Sequence, residues 1–520
     1  MAGEDICMYS LEQVLDIVKD KKVEFVRLQF SDIQGIVKNV AVPVTQLGKA
    51  LKNGISFDGS SIEGFARIQE SDMVLRPDIS TFCLLPWKAQ DGWNQARFIC
   101  DVQHPNGKPF EGDPRFVLRR MLGVAEEMGF TMNVGPELEF YLFEKQNGGS
   151  ATTPHDFGGY FDLGPIDLAE NIRRKIVKAL IEMDFTIEAS HHEVGKGQHE
   201  IDFVYDDALK NADKVVTFKY VTKTIAMMEG LRATFMPKPI YGTAGTGMHC
   251  NVSLFRGDEN VFFDPQMPMN ISDLARFFVG GLIEHACAIT AIANPLINSY
   301  KRLVSGFEAP VYVSWSGPNR SSLIRIPAGR GLSTRLEFRS PDPTCNPYLT
   351  FAAILAAGLD GIRRGIDPGE PVDLNVYELS KAEREARGIQ TLPANLKEAL
   401  DYLEEDKVIR DALGDHVFNN IMRLGNLEWE AYNTWVHEWE IERYINNFWG
   451  ETKPLVDSGI NLFSLFFSFV AASSLCSSLR PSETYISSID VGEVRAGSLV
   501  RQSERLLTFR SGVQIPLGPL

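Results

Sequence analysis

At 520 residues the chain exceeds one ordinary hydrophobic core, which predicts two or three domains. Hydrophobic content of 44% and charged content of 23% describe a soluble globular protein. A net charge of −16 argues against nucleic acid and anionic membranes as partners and suits an enzyme with metal-bound substrates.

Ser10 and Gln13 form a capping box beside Leu11, Val14, Leu15 and Val18, predicting a short amphipathic helix. Val26, Leu28 and Phe30 then alternate with Arg27 and Gln29. A turn over 31–35 leads to a second strand at 36–42. The pattern predicts a small α+β domain over 1–108. Asp113-Pro114 is a helix start, with Leu118, Met121, Leu122 and Ala125 as its stripe and Gly129 as its stop. Beyond it, a second domain over 109–452 alternates helices with strands at 248–255, 323–327 and 333–340. It closes with a helix over 427–448 that sets Trp429, Tyr432, Val436 and Trp439 on one face, as core or subunit-interface packing.

Composition breaks near Pro454, so 453–520 reads as an atypical tail. Thirteen serines lie between Leu455 and Leu520, and no lysine follows Lys453. The uncharged stretch 459–479, rich in phenylalanine and leucine, approaches the length of a membrane span, but its serines and its context predict no insertion. Seven cysteines without a C-x-x-C pair read as reduced thiols of a cytosol. The acidic start, Met-Ala-Gly-Glu-Asp, predicts no signal peptide, hence a cytoplasmic protein.

Four segments carry polar groups in register. In Gly135-Pro-Glu137-Leu-Glu139-Phe140-Tyr-Leu-Phe143, alternation puts Glu137 and Glu139 on one face, and both faces end apolar. Two buried carboxylates need cations or protons, so the pair is a metal site or part of a salt-bridge network. The segment from His191 to Glu200 packs three histidines, two glutamates and two glycines into ten residues, as a metal cluster or a polar surface loop. His249, Asn251 and Ser253 share one face of the strand at 248–255. The preceding glycine-rich loop at 242–247 can bring amides close to an anion, although no Walker motif occurs. Arg335, Glu337 and Arg339 alternate with Leu336 and Phe338, and Arg302, Arg320 and Arg325 add to the arginine supply. This is a salt-bridged stripe or a set of forks for carboxylate and phosphate oxygens. Glutamates for metal together with arginines for phosphate describe phosphoryl transfer.

With these motifs, Phe57-Asp58-Gly59-Ser60-Ser61, Gly245-Thr-Gly-Met-His-Cys-Asn251, Asn298-Ser-Tyr-Lys-Arg-Leu303 and Asn319-Arg-Ser-Ser-Leu-Ile-Arg-Ile326 resemble the type I glutamine synthetases, in order and spacing, from about Ser10 to Phe448. The resemblance implies an α+β protein. Its parts would be an N-terminal β-grasp domain and a catalytic domain built on a curved antiparallel sheet with flanking helices. It implies ATP-dependent ligation of ammonia to L-glutamate through γ-glutamyl phosphate. It also implies twelve subunits in two hexameric rings, with active sites between neighbours.

By the same resemblance, Glu139, Glu193 and Glu200 match ligands of a metal near glutamate. Glu137, His249 and Glu337 match ligands of a metal bridging the nucleotide phosphates. Oxygen-rich ligands with one imidazole suit two Mg²⁺ or Mn²⁺ ions. Arg320, Arg325 and Arg335 match phosphate contacts, and Glu188, Tyr205, Asn251 and Ser253 match positions near the adenosine. Gly245, Arg302 and Arg339 match glutamate contacts. Asp58, donated by a neighbour, would take the ammonium proton, although Asp58-Gly59 by itself reads as a hairpin turn. Glu308 would close a flap that excludes water. Arg67 resembles the glutamine-sensing arginine of the feedback-inhibited alpha subtype, whereas the surroundings of Tyr377 lack the proline-rich sequence that follows the adenylylated tyrosine of other members.

Ala244 departs from the family pattern, where asparagine is common, and the tail matches nothing in it. The competing readings are a ligase of glutamate with a larger amine and a structural relative without turnover; the second should have lost metal ligands, and all six are present. Since every matched site residue precedes the tail, truncation after Thr452 is expected to keep activity and improve solubility. Loss of the dodecamer by light scattering, in a truncated protein that still folds, would instead make the tail an assembly element.

Overall fold

The computed structural model describes residues 9–64, 72–89, 91–145, 153–307 and 309–445. Glu308, Arg67 and the tail beyond 445 lie outside the described residues. The chain divides into two compact units, Met1–Trp435 and Val436–Leu520.

The first unit opens with the helix Leu11–Asp20, whose capping box forms: the Gln13 amide donates to Ser10 Oγ, and the Ser10 amide donates to Gln13 Oε1. A six-stranded sheet follows, made of β1 (Val23–Ser31), β2 (Val37–Pro43), β3 (Ile55–Asp58), β4 (Asp72–Pro77), β5 (Cys83–Leu84) and β6 (Asn94–Gln103). The order is β2-β1-β6-β4-β3, with β5 on β6; β1 and β6 are parallel and every other pair is antiparallel. Val26, Leu28 and Phe30 are buried with Phe98 and Leu75 in a core separate from the larger one that follows.

The second sheet holds β7 (Thr131–Glu144), β8 (Ile187–His192), β9 (Gln198–Phe203), β10 (Asp206–Asp207), β11 (Leu231–Thr234), β12 (Met248–Arg256), β13 (Glu259–Asn260), β14 (Trp315–Ser316), β15 (Ile324–Arg325) and β16 (Leu336–Phe338). Its order is β14-β15-β16-β12-β7-β9-β8, antiparallel except for β14 with β15. The long strand β7 is apolar on both sides beyond its glutamates. Leu138, Phe140 and Leu142 are buried on one face, and Tyr141 and Phe143 on the other.

Helices cover the apolar face. Asp113 caps the helix Pro114–Glu127 through the Arg115 amide, with proline in the first turn. The helices Asp273–Ala293 and Pro347–Arg364 approach backbone to backbone. A Cβ on Gly281 would stand 2.0 Å from the Ala357 carbonyl, and one on Gly361 2.0 Å from that of Phe277. Glycine is required at that crossing. By length and composition Asp273–Ala293 would pass for a membrane span, yet 78% of its apolar window is buried inside the molecule. It is a core helix.

Buried polar ties join the first sheet to the helices that follow it. Arg115 pairs with Asp78 just past β4, with Asp101 on β6 and with Asp213 from the helix Ala208–Met228. Asn346 donates to the Asp32 and Ile33 carbonyls at the first sheet's turn. Removing one partner of a buried charge set leaves the others uncompensated, so these ties fix the first sheet against the helices.

Three elements differ from their expected extents. The strand expected at 323–327 pairs only through Ile324–Arg325, and the one at 333–340 only through Leu336–Phe338. A 3-10 turn, Gly331–Ser333, occupies the start of the latter. The single helix expected at 427–448 is two helices, Asp415–Thr434 and Glu438–Tyr444. Trp435 is extended (φ −77°, ψ 130°), the Thr434 hydroxyl donates back to the Glu430 carbonyl, and His437 with Glu440 starts the new helix as a capping box. Val436 and Trp439, expected on a packed face, are 65% and 59% exposed in this single chain. The five described cysteines are free thiols.

Candidate active site

Strand register builds the site. His249 on β12 stands opposite Glu137 on β7, Glu139 opposite Glu200 on β9, and Glu337 on β16 opposite both Asn251 and Arg325. Opposed residues project to the same face, so five acidic or imidazole side chains converge without loop ligands. Glu193 joins them from the turn between β8 and β9. There the Glu193 amide donates to the Gln198 carbonyl, and Gly197 takes φ +70°.

Two three-donor groups result. Glu137, His249 and Glu337 offer ligand atoms within 4.8 Å of one another, with His249 Nδ1 3.3 Å from Glu137 and 3.6 Å from Glu337. His191, Glu193 and Glu200 form the other, with His191 Nε2 2.9 Å from Glu193 and 3.9 Å from Glu200. Glu139 stands beside the second group and accepts from the Gly247 amide (2.9 Å) and Gln198 Nε2 (2.8 Å).

The carboxylates are crowded and largely dry. Burial, with the Glu193 charge adding to it, pushes Glu139 up to about 8. Burial and the charges of Asp202 and Glu139 drive Glu200 well above the carboxylate range, and burial lifts Asp202 to about 6. Such a cluster takes up protons or cations. Glu337 is the exception. Burial would raise it, but Arg339, His249 and Arg325 outweigh that and bring it to about 2, so it stays ionised. Arg325 donates to it at 2.6 Å and Arg339 donates to its other oxygen. Carboxylate-rich sets with one imidazole each fit hard divalent cations.

All six predicted metal-ligand positions line one cavity of about 890 Å³, together with Arg320, Arg325 and Arg339. Glu188, Tyr205, Asn251, Ser253 and Arg335 line a second cavity of about 420 Å³, which adjoins the first along Glu137 and Asp202. A hydrogen-bond chain crosses that boundary, from Arg335 Nε to Asn251 Oδ1 (3.0 Å) and from Asn251 Nδ2 to Glu137 Oε1 (2.8 Å).

Other predicted residues stand apart. Arg302 is buried and donates to the Ser340 and Arg339 carbonyls; it lines neither cavity. Gly245 packs against Arg302 so closely that a Cβ there would stand 2.6 Å from Arg302 Cγ. At Ala244, where the family pattern is broken, the carbonyl accepts from the Tyr141 hydroxyl at 2.8 Å. Asp58 is exposed at the end of β3, accepts from Ser60 and Ser61, and lines neither cavity of this chain. Hydrogen bonds from Ser60, then Ser61, hold its carboxyl below the usual range.

Sequence reasoning gave no individual role to His191, Asn319 and Ser321, although it singled out their segments, and it missed Asp202 and Tyr160 in the cavity wall. Asp202 was findable, because it alternates with Glu200 along β9. Tyr160 was not: it comes from an irregular loop with no periodicity.

Comparison with known proteins agrees with this geometry. The family model described as the glutamine synthetase beta-grasp domain matches residues 22–105, and that of the glutamine synthetase catalytic domain matches 111–444. A glutamine synthetase of Methanosarcina mazei is 55% identical over 436 residues, covering 84% of this chain and 97% of the relative. One from Thermotoga maritima is 52% identical over 437 residues, covering 84% and 99%. Among solved structures, a GmaS complex with ADP superposes with a TM-score of 0.76 at 32% identity, over 83% of this chain and 99% of that one. The cryo-EM structure of Plasmodium falciparum glutamine synthetase gives 0.74 at 28% identity, over 85% and 99%. The β-grasp sheet, the strand-built acidic site and these relatives together make the chain a member of the glutamine synthetase family.

Proposed function

We propose that the two adjoining cavities form the catalytic centre of a glutamate–ammonia ligase, which joins ammonia to the γ-carboxylate of L-glutamate and converts ATP to ADP and phosphate. The observation that carries this reading is the shared wall at Glu137 and Asp202: a cluster of carboxylates and imidazoles on one side, an Asn251–Arg335 pocket of nucleotide size on the other. Glu137, His249 and Glu337 would hold one Mg²⁺ or Mn²⁺ ion, and Glu139, Glu193 and Glu200 a second beside His191. Bound there, the ions would supply charge neutralisation for the transferring phosphoryl group.

The chain's own residues do the rest. Glu188, Tyr205, Asn251 and Ser253 would surround the adenosine, with Arg320, Arg325 and Arg335 on the phosphates. Gly245, Arg302 and Arg339 would orient glutamate. Asp58 of a neighbouring subunit would accept the ammonium proton, and Glu308 would close the site against water. This division of labour needs a neighbouring subunit, and a dodecamer of two hexameric rings working in the cytoplasm is the proposed assembly. The proposed domains are 1–108, 109–452 and the tail 453–520.

The activated intermediate makes one isotopic demand. With glutamate carrying ¹⁸O in its γ-carboxylate, one label should move to inorganic phosphate for each glutamine formed. Phosphate free of label would exclude the acyl-phosphate route.

Regulation is proposed to be feedback inhibition by glutamine through Arg67. Arg67→Ala is expected to abolish glutamine inhibition at unchanged kcat, in initial-rate assays across a glutamine titration. Unchanged inhibition would remove the assignment and with it the subtype.

A further inference from the structure

We propose that Gln198 is a positioning residue which aims Glu139 at its cation and ties that aim to the loop carrying Gly245. One amide would thereby set both the affinity of one metal site and the capture of glutamate. The inference rests on the functional reading above.

Gln198 begins β9, stands opposite Tyr141 on β7, and is 1% exposed. Its side chain lines neither cavity, so it acts through what it holds. Nε2 donates to Glu139 Oε2 at 2.8 Å and to the Gly245 carbonyl at 2.9 Å. Oε1 accepts from the Gly195 amide at 2.9 Å and lies 3.3 Å from the Tyr141 hydroxyl. The orientation of the amide is determined, because the Gly195 N–H is a donor only and the Gly245 carbonyl an acceptor only. Flipping it would set donor against donor and acceptor against acceptor in a buried site.

The bonds join three segments that sequence keeps apart: β7, the turn between Glu193 and Glu200, and the loop before β12. Glu139 Oε2 takes two N–H groups, from Gln198 and from Gly247, whereas Oε1 takes none among the described residues. Oε2 is thus held by two donors, and Oε1 is left for a ligand. The fit leaves no slack, since a Cβ on Gly195 would stand 2.6 Å from Gln198 Oε1 and 2.1 Å from the Tyr141 hydroxyl. Outer partners of this kind typically set metal affinity by about 10–100-fold.

Two variants test it on the full-length protein. Gln198→Glu puts an acceptor where both donors stood, and Gln198→Met removes the bonds at similar size. Mn²⁺ binding to the free protein, followed by electron paramagnetic resonance, should show one class of site weakened about 10–100-fold and the other within about threefold of the parent. In turnover, KM for glutamate should rise about tenfold or more while KM for ATP stays within about threefold. Parental affinity at both Mn²⁺ classes in Gln198→Met would overturn the proposal. So would an equal weakening of both classes with a lowered melting temperature, the mark of a merely structural residue. If Gln198→Glu does not fold, Gln198→Met decides. If the parent protein makes no glutamine, the functional reading fails, while the Mn²⁺ titration still decides the role of Gln198.

Discussion

Glu337→Gln is expected to lower ATP-dependent turnover by about 10²-fold or more, the usual loss when a group that neutralises a transferring phosphate is removed. The side chain is 2% exposed and receives both Arg325 and Arg339, with His249 3.6 Å away. The two guanidinium groups above all hold it ionised, at about 2, so its charge is constant across any working pH. Glutamine keeps the shape but removes the charge, and turns an NH₂ toward a guanidinium or the imidazole. Arg339, itself 6% exposed, then keeps a buried charge without its anion. The loss should appear in kcat more than in KM for glutamate, and saturating metal should not restore it. Near-normal turnover at saturating metal would make Glu337 a bystander.

Asp58→Ala and Glu308→Ala chains should each be nearly inactive, by about 10²–10⁴-fold if each moves a proton, yet regain activity when co-assembled. Within one chain Asp58 lies exposed at the edge of the first sheet, on the wall of neither cavity. In the proposed ring, a head-to-tail interface would bring one subunit's Asp58 to the next subunit's site, so random mixing of equal amounts would leave about a quarter of the sites with both residues intact. The measurement is specific activity of co-refolded rings against the two parents and the unsubstituted protein. Mixed rings as inactive as the parents, with assembly confirmed, would rule out a site completed between subunits.

Much of this architecture is legible wherever chemistry repeats with the period of the backbone. The Ser10–Gln13 box and Asp113-Pro114 announce helix starts by satisfying amides that the helix itself cannot. Glu137 and Glu139 can be placed on one face of a strand covered on both sides because the next four residues of β7, Phe140 to Phe143, are apolar and buried. What period cannot reveal is register. Nothing in the segment at 333–340 says that only three residues pair with β12, or that Arg325 will meet Glu337 from a two-residue strand. The break at Trp435 is hidden for a related reason: the apolar spacing runs through it, and the sign of a new helix start is a capping box formed by His437 and Glu440. His191 and Gln198 escaped assignment because their roles depend on which neighbours the turn at 193–198 brings near, and that is set by tertiary contact.

The most direct measurement mixes the purified protein with glutamate, ATP, Mg²⁺ and either ammonia or hydroxylamine, and follows the products. Glutamine or γ-glutamyl hydroxamate should form with one ADP for each amide bond, and neither should form without ATP. Neither product appearing, in a protein that is folded and binds divalent metal, would contradict the account at its centre.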